Sequence, residues 1–191
     1  MKIGLFFGSF NPIHNGHLII ANYILEYSDI EQLWFVISPQ NPLKKKSGLL
    51  QDYHRYNLLD SAIGISNKYK VCDIEFKMPK PSYTIDTLTY LNEKYPDKEF
   101  VVIMGSDNLK SLPKWKNYIQ IIHNYEIIVY PRPDFDCSEY LENKKIKILK
   151  APLMEISSTF IRDSIKNKKD LRFFMPENVY NLIKDMHFYE K

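Results

Sequence analysis

Short, unbroken apolar runs alternate along this chain with longer stretches whose apolar residues recur every three or four positions. Ile3-Gly4-Leu5-Phe6-Phe7 is brief and aromatic and predicts a buried strand. From Leu18 through Leu25 the apolar spacing predicts a helix. Residues 32–38, closed by Pro39, predict a second strand, parallel to the first because a helix lies between them. Leu58, Leu59, Ala62, Ile63 and Ile65 predict an amphipathic helix over 50–66, and the alternation at 71–76 predicts a third strand. Pro79 and Pro81 hold the chain extended before a helix that begins near Ile85, with Ser82 or Thr84 as its cap. Further strands are expected at 100–104, 125–130 and 147–151, and helices at 119–124, 160–167 and 177–186. A polar, variable helix-loop is expected over 134–145. Phe173, Phe174, Tyr180, Leu182, Ile183 and Phe188 are expected to pack on the sheet. Strands alternating with helices imply an α/β fold with a parallel sheet, and polar motifs after strand ends fall on its binding side.

Composition narrows this only slightly. At 191 residues the chain suits one domain spanning 1–191, with a helical part from about 157 onward. A net charge of +3 is too small to argue for nucleic acid. No apolar stretch approaches the roughly 18 residues of a membrane span, and the first apolar run breaks too early for a signal-peptide core. Cys72 and Cys137 stand far apart and outside any CxxC, so they form no zinc site or disulfide framework by themselves. A reducing, cytoplasmic setting is the simplest reading. Oligomeric state, a homo-oligomer included, is left open, as are the roles of the two cysteines.

The chemistry concentrates in the turn Gly8-Ser9-Phe10-Asn11-Pro12-Ile13-His14-Asn15-Gly16-His17, between the first strand and the first helix. Such a turn aims backbone N–H groups, and the positive end of the helix dipole, at a place suited to phosphate. Residues three apart on a helix differ by roughly 60° in direction, so His14 and His17 can point the same way. Imidazole can donate to phosphate oxygens, and Gly16 lets a ligand approach the backbone. An HxxH pair alone fits core histidines equally well. The spacing is neither GxxxxGKS/T nor GxGxxG.

The whole string resembles the signature of the HxGH nucleotidyltransferase superfamily. A second string, Ile156-Ser157-Ser158-Thr159-Phe160-Ile161-Arg162, resembles that superfamily's other hallmark, ISSTxIR. By itself it reads as a Ser/Thr cap followed by a surface arginine. Pro81-Ser82-Tyr83-Thr84-Ile85-Asp86-Thr87-Leu88 is similar to the segment that holds the pyridine ring and its carboxylate in nicotinate mononucleotide adenylyltransferases. The resemblance runs from Lys2 to Tyr189 and implies a Rossmann-like parallel sheet with helices on both faces.

It also implies adenylyl transfer from ATP to nicotinate mononucleotide. His14, His17 and Arg162 would be catalytic. Gly8, Ser9, Phe10, Gly16, Gly105, Asp107, Ile156, Ser157, Ser158 and Thr159 would join them in binding ATP. Asn11, Lys44, Tyr83, Thr84, Trp115 and Arg132 would hold the second substrate. The family often has a second aromatic after Trp115, where this chain has Lys116. Arg55 and His187 read as structural. Mg²⁺ would arrive with ATP, with no dedicated carboxylate cluster for it. Two alternatives stand beside this. One is a sister transferase acting on nicotinamide mononucleotide or phosphopantetheine, although the phosphopantetheine enzymes usually carry Thr in place of His14. The other is a non-catalytic nucleotide sensor.

Overall fold

In a computed structural model, residues 1–39, 48–133 and 135–190 are described. Among them, six strands form one parallel sheet: β1 (Lys2–Gly8), β2 (Gln32–Ile37), β3 (Tyr69–Cys72), β4 (Glu99–Gly105), β5 (Glu126–Tyr130) and β6 (Ile146–Ile148). Their order in the sheet is 3-2-1-4-5-6. The helices are α1 (Asn15–Tyr27), α2 (Asp52–Ile63), α3 (Thr84–Lys94), α4 (Ser106–Ser111), α5 (Tyr118–Asn124), α6 (Ser158–Lys166) and α7 (Glu177–Asp185). The strand order reverses between β1 and β4, so the loops leaving their carboxyl ends diverge and open a crevice there. Among the described residues, no helix is long and apolar enough to cross a membrane.

The inner strands are apolar on both faces because helices cover both. Leu33, Phe35 and Ile37 of β2 point into a core shared with Ile20 and Ile24 of α1, Leu58 and Leu59 of α2, Ile161 of α6 and Val179 and Ile183 of α7. The alternate residues Trp34 and Val36 point into a second core with Ile85, Leu88 and Leu91 of α3, Leu109 of α4 and Ile121 of α5. This is the period-two alternation of a pleated strand, applied to two apolar layers.

Several expectations change, among them the last strand, which covers 146–148 rather than 147–151. The third strand covers 69–72 rather than 71–76, and Ile74–Lys77 turns into a short 3₁₀ helix. That turn buries Glu75, whose carboxylate accepts from the hydroxyls of Ser82 at 2.7 Å and Thr87 at 2.8 Å. Burial raises its pKa, and the hydroxyls of Ser82, Thr87 and Ser38 oppose that rise. Ser82 is thereby drawn away from capping. Tyr83 occupies the N-cap position of α3 with no side-chain cap bond, and Thr84 is already helical.

The helix expected over 50–66 runs only from 52 to 63. Gly64, at φ +56°, ends it by donating its N–H to the Asp60 carbonyl, which leaves Ile65 fully exposed. Phe173 and Leu182 are exposed rather than packed on the sheet. Phe173 instead offers its carbonyl to Asn15 Nδ2 at 2.9 Å, while the Asn15 N–H bonds the Phe174 carbonyl at 2.9 Å. His187 is also exposed and pairs with Glu190.

Candidate active site

Arg55 supports the site from below. Its side chain is fully buried on α2, beneath three converging segments. It donates to the carbonyls of Ser9 and Ser38 at 2.8 Å each and of Leu50 at 3.1 Å, and pairs with Asp52 at 2.6 Å. One guanidinium thus ties the turn after β1, the end of β2 and the approach to α2, as its five fixed donors allow. Its role is structural, as the sequence suggests.

Above it the turn after β1 is tightly built. Phe10 holds φ +44°, uncommon for a bulky residue, and its ring packs edge-on against Phe6, Phe35 and His17. His14 is the N-cap residue of α1 and His17 lies in the first turn. Their rings stack at 3.7 Å between centroids with planes 29° apart, so the two histidines do face one way. Gly16 allows this. A Cβ there would lie 3.0 Å from His14 Nδ1 and 3.5 Å from Ile156 Cβ.

His14 is buried, and its Nδ1 has no hydrogen-bond partner among the described residues. Burial, with the nearby Arg132 charge adding to it, lowers its pKa to about 3. His14 is therefore a neutral imidazole at pH 7, able to donate a hydrogen bond but not carrying a charge.

The start of α6 meets this turn. Ser157 caps α6 by accepting from the Phe160 N–H at 3.1 Å. Ser158 donates to the Pro12 carbonyl at 2.9 Å, and Arg162 donates to the Asn11 carbonyl at 2.8 Å and to Thr159 Oγ1 at 3.2 Å. The Asn11 side chain is engaged inside the protein. Its amide donates to the Gly48 carbonyl and accepts from the Leu50 N–H and the Tyr189 hydroxyl.

The result is a cleft of about 720 Å³ over the carboxyl ends of β1 and β4. Gly8, Ser9, Phe10, Asn11, His14 and His17 line it from one side, and Ile156, Ser157, Ser158, Thr159 and Arg162 from another. Asp107, the second residue of α4, and Arg132 after β5 line a third side. Arg132 Nε sits 3.9 Å from Asp107 Oδ1, and its Nη2 lies 3.3 Å from the Tyr130 hydroxyl. Gly105 stands behind them, where a Cβ would meet Asp107 Oδ1 at 2.3 Å.

Five expected residues do not line this cleft: Gly16 and Gly105, which stand behind its wall, and three residues expected to hold the second substrate. Tyr83, Thr84 and Trp115 lie beyond it. Tyr83 and Trp115 pack against the second core, as does Phe7, which also lines the cleft. Lys116, placed where a second aromatic was expected, sits 4.9 Å above the Tyr83 ring and pairs with Asp86 at 2.8 Å. Lys44 lies outside the described residues. Among the described residues no group of three or more His, Cys, Asp or Glu side chains is placed to hold a metal ion.

Sequence reasoning missed Tyr130 and Phe6 as walls, since buried strand residues carry no local sign that they border a cleft. It also missed Tyr189.

Residues 5–164 match the family model described as cytidylyltransferase-like. A protein of Flavobacterium psychrophilum named "Probable nicotinate-nucleotide adenylyltransferase" is 53% identical over 193 residues, covering 100% of both chains. The chain belongs to the nicotinate-nucleotide adenylyltransferase family. A Cytophaga hutchinsonii protein of the same name is 50% identical over 99% of this chain and 98% of its own. Among solved structures, the Plasmodium falciparum nicotinic acid mononucleotide adenylyltransferase complexed with NaAD superposes with a TM-score of 0.85 at 22% identity, covering 99% of this chain and 97% of that one. At that identity the likeness concerns the fold, and the adenylyltransferase family's fold is the one found here.

Proposed function

We propose that this chain transfers the adenylyl group of ATP to nicotinate mononucleotide, giving nicotinate adenine dinucleotide and pyrophosphate in NAD biosynthesis. The observation that carries the reading is the meeting of the β1–α1 turn with the start of α6, sealed by the Arg162–Asn11 and Ser158–Pro12 hydrogen bonds. The acceptor is supported by the names of relatives that match over the whole chain.

The mononucleotide phosphate attacks the α-phosphorus of ATP, the α–β bridging bond breaks, and pyrophosphate leaves. An anionic nucleophile needs no general base at pH 7. The enzyme's task is to hold two anions in line and to stabilise charge on the transferring and leaving groups. His14 supplies a neutral donor there and His17 a neighbouring imidazole. Arg162, Thr159 and the N–H groups at the start of α6, that of Ser158 among them, hold the distal phosphates. Asp107 accepts from ribose hydroxyls. Arg132 and Lys44 offset the charge of the mononucleotide. Tyr83, Thr84 and Trp115 hold its pyridine ring, and the α3 N-terminus favours the carboxylate. Mg²⁺ bound with ATP would supply charge neutralisation, and no cluster of carboxylates among the described residues is needed to hold it. Two unpaired cysteines fit a reducing, cytoplasmic setting.

The test is pyrophosphate release with ATP and, in turn, nicotinate mononucleotide, nicotinamide mononucleotide and phosphopantetheine. The acid mononucleotide should give the highest kcat/KM. A higher value with either of the others would reassign the acceptor. ATP binding without any release would make the protein a sensor.

A further inference from the structure

The last described residues turn back into the molecule. After α7, His187 and Tyr189 both adopt left-handed backbone, at φ +52° and +67°, although neither is glycine. Such conformations persist only where surrounding contacts hold them, and an observed outlier of this kind is a reason to ask what it serves. Phe188, between them, packs edge-on against His54 of α2 at 4.7 Å. The reversal carries the Tyr189 hydroxyl to 2.8 Å from Asn11 Oδ1, 178 positions earlier.

Asn11 is where the nucleotide-gripping segments join. Its side-chain oxygen has two lone pairs, and the Leu50 N–H and the Tyr189 hydroxyl fill both. Its amide nitrogen donates to the Gly48 carbonyl. Its backbone carbonyl accepts Arg162 Nη1. A fixed Asn11 therefore aims the guanidinium, and Tyr189 completes the set of bonds that fixes it.

From this chain of contacts we infer that Tyr189 is a positioning residue: its hydroxyl orients Asn11, and through Asn11 holds Arg162 toward the nucleotide. The inference rests on the proposed function for the identity of that nucleotide. Tyr189→Phe keeps the ring and removes only the donor. Losing one hydrogen bond of ordinary strength should lower kcat/KM for ATP about fivefold. KM for the acceptor and the thermal midpoint should stay close to wild type.

The decisive experiment is a double-mutant cycle in the full chain with Arg162→Lys, read by pyrophosphate release and by equilibrium titration with ATP alone. If Tyr189 acts through the guanidinium, its replacement should cost less than about twofold once Arg162 is already lysine. An equal loss in both backgrounds, or no loss in either, overturns the inference. Should the wild-type protein release no pyrophosphate with nicotinate mononucleotide, the functional proposal fails by itself. The ATP titration would still decide the role of Tyr189.

Discussion

Arg162 Nη1 donates to the backbone carbonyl of Asn11 at 2.8 Å, joining residues 151 positions apart. With Nη2 on Thr159, the guanidinium still has N–H groups to give to an anion in the cleft. Lysine has one charged nitrogen and cannot serve both directions in a fixed fork. Arg162→Lys should lower kcat/KM for ATP about tenfold, with little change in thermal midpoint. Steady-state kinetics with ATP varied, beside a melting curve, checks this.

His17 stacks on His14 and meets the edges of Phe6 and Phe10. Its removal takes one ring contact from Phe6 and Phe10 of the first core and leaves the sheet pairing and the second core untouched. His17→Ala should lower kcat by more than about tenfold, the scale of one lost transition-state donor, in protein with a native circular-dichroism spectrum. An unchanged turnover number would remove His17 from the catalytic set.

Gly16 leaves a methyl group little room beside the His14 ring, which a Cβ would approach to 3.0 Å at Nδ1 and 3.1 Å at Cε1, so the ring would have to give way. Gly16→Ala should push the ring off its stack on His17. We expect turnover to fall by roughly tenfold or more while stability changes little, since alanine itself favours the helix by up to about 1 kcal/mol. Kinetics and a denaturant melt on the same preparation separate the two effects.

The depressed pKa of His14, about 3, makes stability depend on pH. Unfolded, this imidazole titrates near 6.5, so between pH 6.5 and 3 the unfolded chain binds a proton that the folded chain refuses. Stability contributed by the neutral form is complete above that window and is lost as pH falls through it. From pH 7 to pH 5 the loss from this group alone is about 2 kcal/mol. His14→Gln should show a correspondingly shallower decline in urea-melt stability over the same range.

Arg55 is a buried cation whose removal would strand three carbonyls and leave Asp52 with Lys80 as its ion-pair partner. Arg55→Met should destabilise the fold by about 3 kcal/mol. Chemical denaturation would register this as a lower midpoint. A variant as stable as wild type would show that the loops do not depend on it.

The alternation of strands and helices was legible because each inner strand is an unbroken apolar run and the longer helices repeat apolar residues every three or four positions, whereas α4, with Leu109 its one apolar residue, gave no such signal. The third strand was misjudged because Val71-Cys72-Asp73-Ile74-Glu75-Phe76 alternates like a strand, whereas Glu75 is drawn inward by two hydroxyls that lie seven and twelve positions later. Ile65 and Phe173 were misplaced for a related reason. Gly64 cuts one helix short, and the carbonyl of Phe173 serves Asn15 from a distance. The two strings that line the cleft could be read directly, since their residues stand side by side in the chain. Nothing in the tail announces Tyr189, because its meaning depends wholly on Asn11 at the other end.

The reversal of strand order between β1 and β4 sets how this scaffold can diverge. The proposed grip on the triphosphate draws on the β1 turn and α6, which are bonded to each other directly. Tyr83 and Trp115 pack in a separate layer with residues of α3 and α5. Arg132, proposed for the acceptor, lines the same cleft as the residues proposed for ATP, so only the pyridine end of the acceptor would be read by a separate layer. Substitutions at Tyr83 or Trp115 would then alter which ring is accepted without touching the contact between the β1 turn and α6.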